Sequence, residues 1–291
     1  MRVLMTGSHG FVGTNLMRAL GGEHEIIAWN AREDRPLPEV EAVIHLAGKA
    51  HDTKHTTEAE EYFRVNTELT KQLYQRFLES SARKFIFFSS IKAQDGDTPY
   101  ALSKREAEKI ITGTTNYTDI TNGLVSKTKC FYILRPCMIH GAGVKGNLPL
   151  LFRVVNTGLP WPLAAFENRR SYASMGNVTY VVRALLERDV KSGAYNFCDD
   201  EPVSTNELIR LIGEGTGRGC RMWRIPKRLM LLAAKLGDWL HLPLNTERLG
   251  KLTEDYVVDN SDMKRALGIS QMPVRAVDGL RETISLMVKN Q

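Results

Sequence analysis

A chain of 291 residues, 43% hydrophobic and 25% charged, has enough apolar side chains for one large or two moderate domains with substantial cores. Its net charge of +6 reads as dispersed, with no aromatic residues interleaved among the basic ones. That argues against nucleic-acid binding and suits an anionic small substrate.

The four cysteines (Cys130, Cys137, Cys198, Cys220) form no Cys-x-x-Cys pair, which points to reduced thiols in a cytoplasmic protein. Met1-Arg2-Val3-Leu4-Met5 runs straight into a glycine turn and leaves no room for a signal peptide. Val3-Leu4-Met5 is a short buried strand. Thr6-Gly7-Ser8-His9-Gly10-Phe11-Val12-Gly13 follows, and then an amphipathic helix from Thr14 to Leu20. Strand, glycine turn and helix in that order make a dinucleotide site. Gly7 permits the tight turn, Gly10 lets backbone approach the pyrophosphate, and Gly13 lets the helix pack closely on the strand. The spacing is Gly-x-x-Gly-x-x-Gly rather than Gly-x-Gly-x-x-Gly.

The second strand is Glu25-Ile26-Ile27-Ala28-Trp29. Folds selective for NAD usually place an acid at its end to bind the ribose 2′-hydroxyl. Here the strand ends in Asn30-Ala31-Arg32-Glu33-Asp34-Arg35. Asn30 does not repel a 2′-phosphate, and Arg32 or Arg35 can pair with one, which favours NADP(H). If Glu33 or Asp34 supplies the acid instead, the cofactor is NAD(H). Only a short linker with Pro36 and Pro38 precedes the next apolar run, Ala42 to Gly48, so this half of the sheet looks trimmed. His45, at the end of that run, reads as a structural residue near the cofactor. His51 to Thr57 reads as a loop near the site, and Glu58 to Ser80 as one long helix with Phe63, Val65, Leu69, Leu73 and Phe77 inward.

Lys84 to Phe88 is a strand that delivers Ser89 and Ser90 at its carboxyl end, where open α/β sheets bind ligands. Gln94 to Pro99 is a turn, and Tyr100 to Ile111 a helix. Tyr100 and Lys104, four apart, share a helix face, so the ammonium is expected to lower the phenol pKa and make Tyr100 a usable acid/base. Phe131 to Leu134 is a further buried strand. Val203-Ser204-Thr205-Asn206-Glu207 starts a capped helix. Leu229 to Leu242, broken by Lys235 and Asp238, is too short to span a bilayer and reads as a buried or half-buried helix. Ala276 to Val288 is a last amphipathic helix.

Taken together these pieces resemble the extended short-chain dehydrogenase/reductase family, in its nucleotide-sugar epimerase, reductase and dehydratase branch. The resemblance rests on Thr6 to Gly13, His45-Leu46-Ala47-Gly48, Asn66, Ser89-Ser90, Tyr100 with Lys104, and Arg135-Pro136 to Gly141. It implies Ser90, Tyr100 and Lys104 as the catalytic set, with Lys104 also on the nicotinamide ribose. It implies cofactor contacts from Gly7, His9, Gly10, Phe11, Val12, Asn30, Arg32, Leu46, Ala47, Gly48, Asn66 and Pro136. Gly143 to Pro149 resembles the segment that contacts the substrate diphosphate, through Asn147 and Leu148. Asn168-Arg169-Arg170 resembles the stretch that gives it an arginine, here Arg170, with Arg248 as a further clamp. Leu159 to Leu163 shapes the nucleobase pocket, or else Trp161 is packing. His140 stands where the family often has Tyr. A homodimer through helices 58–80 and 100–111 is a family-level expectation.

The fold expected is α/β: a Rossmann-type, doubly wound parallel sheet with a smaller mixed α/β substrate-binding lobe at the C-terminal side. Residues 1–142 with a return segment 172–198 form the dinucleotide domain, and 143–171 and 199–291 the substrate lobe. The expected activity is hydride transfer at C4 of a UDP-hexose, reductive and NADPH-dependent, with no metal, no nucleic acid and no membrane span. A UDP-sugar 4-epimerase with tightly held NAD is the close rival, and a non-catalytic dinucleotide-binding regulator the distant one. A 4,6-dehydratase fits less well, because Ile91 and Lys92 beside Ser90 supply no carboxylate.

Overall fold

The structure, a computed structural model, describes residues 1–33, 35–49, 58–121, 129–240, 242 and 244–289. Asp34 and the expected loop from His51 to Thr57 lie outside the described residues. The chain packs as two compact units.

The first unit comprises Met1–Cys137, Asn177–Phe197 and Asp259–Gln271. It opens with β1 (Arg2–Thr6), α1 (Phe11–Leu20), β2 (Glu25–Trp29) and β3 (Ala42–His45). A long helical stretch follows as α2 (Ala59–Tyr62), a π-helical segment (Phe63–Glu68) and α3 (Leu69–Glu79). Then come β4 (Lys84–Phe88), α4 (Lys92–Asp95), α5 (Pro99–Thr121) and β5 (Cys130–Pro136). The second unit contributes β6 (Met138–His140), α6 (Asn147–Asn156) and β7 (Tyr172–Ser174). From Asn177, inside α7 (Met175–Glu187), the chain returns to the first unit for β8 (Gly193–Phe197). The remaining helices are α8 (Thr205–Gly215), α9 (Lys227–Leu240), α10 (Thr246–Thr253), α11 (Ser261–Leu267) and α12 (Ala276–Lys289). Of these, α11 joins the first unit, where it packs on β8. The sequence reading had placed that segment in the C-terminal lobe.

The first unit is built on a six-stranded parallel sheet in the order β2-β1-β3-β4-β5-β8. Continuous apolar runs make these strands because both faces of a parallel sheet are covered. Val3, Leu4 and Met5 are buried together, as are Ala42, Val43 and Ile44. One face packs Leu4, Val43, Phe85 and Phe87 against Leu73, Tyr74 and Phe77 of α3. Fully burying each such side chain stabilises by about 1.5–3 kcal/mol. Strand order reverses at β1, which places a crevice at the carboxyl ends of β1 and β3. Among the described residues β2 is the sheet's edge, as the short linker after it implies.

The π-helical segment corrects the expected burial of the long helix. A π turn takes an additional residue, so the inward face slips out of the 3.6-residue period. Tyr62, Asn66, Thr67 and Thr70 are buried, while Phe63 is exposed and Val65 and Leu69 are half-buried.

The second unit packs α6, α8 and α12 around Leu148, Phe152, Leu208, Ile212 and Ile284, beside the two-stranded parallel sheet of β6 and β7. Ser204 caps α8 by accepting the Glu207 N–H at 3.0 Å, as the sequence signals. Asn168 ties this unit together: its amide donates to Thr205 Oγ1 and the Leu252 carbonyl and accepts from the Thr205 N–H.

Two expectations fail in this unit. On α9 only Met230, Ala234 and Gly237 are buried, and the remaining residues stand in solvent. Periodicity locates an apolar helix but does not say whether protein covers it. The positive charge is not dispersed either. Residues 218–240 hold six exposed basic side chains (Arg218, Arg221, Arg224, Lys227, Arg228, Lys235) and one acid, Asp238, so this stretch carries +5 of the chain's +6.

Candidate active site

The glycine turn after β1 forms one wall of a cleft of about 700 Å³ in the first unit. Gly7 has φ +69°, and a Cβ there stands 2.7 Å from the Ala47 nitrogen and 2.8 Å from the Leu46 carbonyl carbon. A Cβ on Gly13 stands 2.3 Å from the Gly7 oxygen. Both positions exclude a side chain, and the turn is held tight against the β3 end and under α1. Gly10 is the N-cap of α1 and supplies no side-chain cap, so the first N–H groups of the helix are left to a ligand. A bare helix N-terminus over a glycine turn is suited to a pyrophosphate, and the cradle fits a dinucleotide.

Gly7, His9, Gly10, Asn30, Arg32, Leu46, Ala47 and Gly48 all line this cleft. Phe11 and Val12 begin α1 and are not in its lining. Asn66 is not in the lining either, which departs from the expected cofactor contact. It is fully buried, accepts the Lys49 N–H at 2.8 Å, and donates to the Lys49 carbonyl and Ser103 Oγ. Its role in the structure is to brace the backbone beside Gly48. Pro136 also lies outside the lining, buried at the end of β5, with its carbonyl accepting the Ile91 N–H at 3.1 Å.

Sequence reasoning missed Ser8, Ala28, Trp29, Ala31, Val65 and Leu69 in the wall. Val65 and Leu69, one turn apart, looked like core because an apolar side chain facing a ligand has the same spacing as one facing protein. Arg35 stacks on the Trp29 ring, 4.1 Å from its centroid, and pairs with Glu33 at 2.6 Å. Arg32 and Glu33 are thus the two charged residues lining the cleft where β2 ends.

At the carboxyl end of β4, Ser89 turns inward and donates to Glu108, whose carboxylate also takes the Arg135 guanidinium. Ser90 is half-buried at the end of β4, and its hydroxyl acts on the phenol of Tyr100, which stands in the first turn of α5. The Tyr100 ring meets Tyr62 edge-on, with centroids 6.1 Å apart. One turn on, Lys104 is only 6% exposed, and its ammonium donates to the Phe88 carbonyl at 2.9 Å over the face of Phe87. It also abuts the cleft wall: a Cβ on Gly48 stands 3.2 Å from Lys104 Nζ.

The electrostatics overturn one expectation. Burial raises the Tyr100 phenol above its ordinary value; the Ser90 hydroxyl lowers it in part, and Tyr62 raises it further. The shift expected from spacing alone was downward. Burial lowers Lys104 to about 8, against an upward pull from Glu108. His45 is neutral and structural. It bridges Thr6 Oγ1 at 2.7 Å and Thr70 Oγ1 at 2.9 Å, and burial, aided by Lys104, holds it down at about 3.

In the second unit, Asn147 is exposed in the first turn of α6, whereas Leu148 is 1% exposed and belongs to the core. A substrate contact at 148 is therefore left to its backbone. Arg170 is half-buried and donates to the Lys251 carbonyl, while Arg248 is exposed at the start of α10. Trp161 is packing: it is buried, and its indole donates to Asn206 at 3.0 Å. His140 is buried between Thr283, at 2.9 Å, and Asp199.

The NAD dependent epimerase/dehydratase family matches residues 3–198. A UDP-glucose 4-epimerase of Vibrio cholerae is 28% identical, across 97% of this chain and 94% of that one. A UDP-2-acetamido-2,6-beta-L-arabino-hexul-4-ose reductase of Pseudomonas aeruginosa is 37% identical, across 38% of this chain and 30% of its own. Among solved structures, a UDP-glucuronic acid 4-epimerase from Bacillus cereus in complex with NAD superposes with a TM-score of 0.73. It shares 15% identity and covers the whole of both chains.

Proposed function

Because the chain belongs to the NAD-dependent epimerase/dehydratase family, we propose that it reduces C4 of a UDP-linked 4-keto-hexose, 6-deoxy or not, with NADPH. The observation that carries this reading is the buried Lys104 at the cleft wall, one helical turn from Tyr100, whose phenol the Ser90 hydroxyl influences. The phenol is protonated at neutral pH and is available as the proton donor that reduction of a ketone calls for. Asn30 and Arg32 at the end of β2 favour a 2′-phosphate over a bare ribose hydroxyl.

The glycine turn, Leu46 to Gly48 and Arg32 would hold the dinucleotide, which would supply the hydride. Tyr100 gives its proton to the oxygen developing at C4, and Ser90 hydrogen-bonds the same oxygen. Lys104 stabilises the phenolate left on Tyr100, which takes a new proton from solvent. On the sugar-nucleotide side, the first N–H groups of α6 at Asn147 and Leu148 suit a diphosphate. Arg170 and Arg248 add cationic donors for it. A homodimer through the helices that expose Phe63 and Leu102 goes with the same reading.

A second reading is a UDP-sugar 4-epimerase with resident NAD. It is favoured by the nearly full-length likeness to the Vibrio cholerae epimerase and by Glu33 in the cleft. The purified protein separates the two. Oxidation of added NADPH by a UDP-4-keto-hexose, 6-deoxy or not, is the expected result. Interconversion of UDP-glucose and UDP-galactose on co-purified NAD⁺ overturns it in favour of the epimerase. Absence of turnover with either pair revives the non-catalytic regulator.

A further inference from the structure

We propose that α9 is a docking face for the surface of an anionic phospholipid membrane. The helix touches its own unit by a narrow seam of Met230, Ala234 and Gly237. The fit there is close, since a Cβ on Gly237 overlaps the Leu244 carbonyl oxygen. At the helical period, Leu229, Leu232, Leu236, Trp239 and Leu240 fall on the opposite side, within an arc of about 100°. All five are exposed, Leu232 by 66% and Trp239 by 75%. An apolar face this complete on a soluble protein marks a surface that binds something.

Charge says what. Arg228 and Lys235 border one edge of the apolar arc, and the segment leading into the helix adds Arg218, Arg221, Arg224 and Lys227. The one acid, Asp238, is turned to the helix junction, accepting the Thr246 N–H at 3.1 Å and its hydroxyl at 2.7 Å. A second copy of this chain is a poor occupant, because a two-fold contact sets five net positive charges against five. Nucleic acid accounts for the arginines and leaves the leucines without a partner. Leucines and a tryptophan on one face, bordered by lysine and arginine, fit lipid headgroups over an acyl boundary. Fourteen residues reach about 21 Å, short of a bilayer core, so the helix lies in the surface.

The full chain is to be sedimented with vesicles of phosphatidylcholine, with and without phosphatidylglycerol. Binding is expected only with the anionic lipid, accompanied by quenching of tryptophan fluorescence by brominated acyl chains. Leu232→Ser with Trp239→Ser abolishes it, and Arg228→Gln with Lys235→Gln weakens it about thirtyfold at low salt. Both pairs are exposed, so thermal unfolding of each variant is expected to match the parent. Failure to bind anionic vesicles overturns the proposal, as does binding that survives Leu232→Ser with Trp239→Ser. A solution dimer that this pair converts to monomer assigns the face to a second copy instead. Retention of an oligonucleotide that depends on Arg228 and Lys235 alone assigns it to nucleic acid.

Discussion

Lys104 holds a charge where its surroundings resist one. Its nitrogen meets a single carbonyl and the face of Phe87, and burial lowers it to about 8. The proposed chemistry uses that charge, so reductive turnover is expected to hold at neutral pH and to fall as pH rises through about 8. A pH–rate profile that stays level across that point removes Lys104 from the role. Stability moves the other way. Between about 8 and the ordinary 10.5 the unfolded chain keeps a proton that the folded one has lost. This group therefore adds to unfolding free energy as pH climbs through that window, and below about 8 it adds nothing with pH. Tyr100→Phe is expected to cut turnover by roughly 10²–10⁴-fold, with dinucleotide affinity by fluorescence titration unchanged. Full activity in that variant ends the proposal. The spacing of Tyr100 and Lys104 was legible in the sequence. The sign of the phenol's shift was not, because burial sets it and spacing carries no burial.

At the scale of elements, the strands were legible and one helix was not. Val3 to Met5, Ala42 to Ile44 and Phe85 to Phe88 announce themselves as unbroken apolar runs, which only a parallel sheet covered on both faces tolerates. The stretch from Ala59 to Glu79 has no comparable signature of its π segment, so its inward face was assigned with the ordinary period. That segment is what turns Asn66 under the Gly48 backbone. Asn66→Ala removes the partners of the Lys49 N–H and carbonyl, each group left unsatisfied away from water costing about 1–3 kcal/mol, while Ser103 keeps its bond to the Tyr100 carbonyl. The expected outcome is a lower urea midpoint together with weaker dinucleotide binding. A variant that is less stable but binds the dinucleotide as before limits Asn66 to packing.

Across the whole molecule, the first unit is assembled from three separated pieces of chain. The sequence signals its first piece strongly through the glycine turn and the Tyr/Lys pair. Its last piece, Ser261–Leu267, looks like any short amphipathic helix, and only its packing on β8 assigns it to the first unit. A chain ended after Val258 is expected to lose dinucleotide binding and cooperative unfolding of that unit, read by calorimetry. Parent-like behaviour makes α11 dispensable.

The interleaving reaches into biosynthesis. A ribosome has made all of residues 1–192 before it reaches β8, and all of 1–260 before α11. Until then β5 is a nascent sheet margin, paired with β4 on one side and open on the other. Maturation of the nucleotide-binding half thus waits on residues far downstream of the glycine turn, and chains stalled upstream of Gly193 are natural clients for holding chaperones.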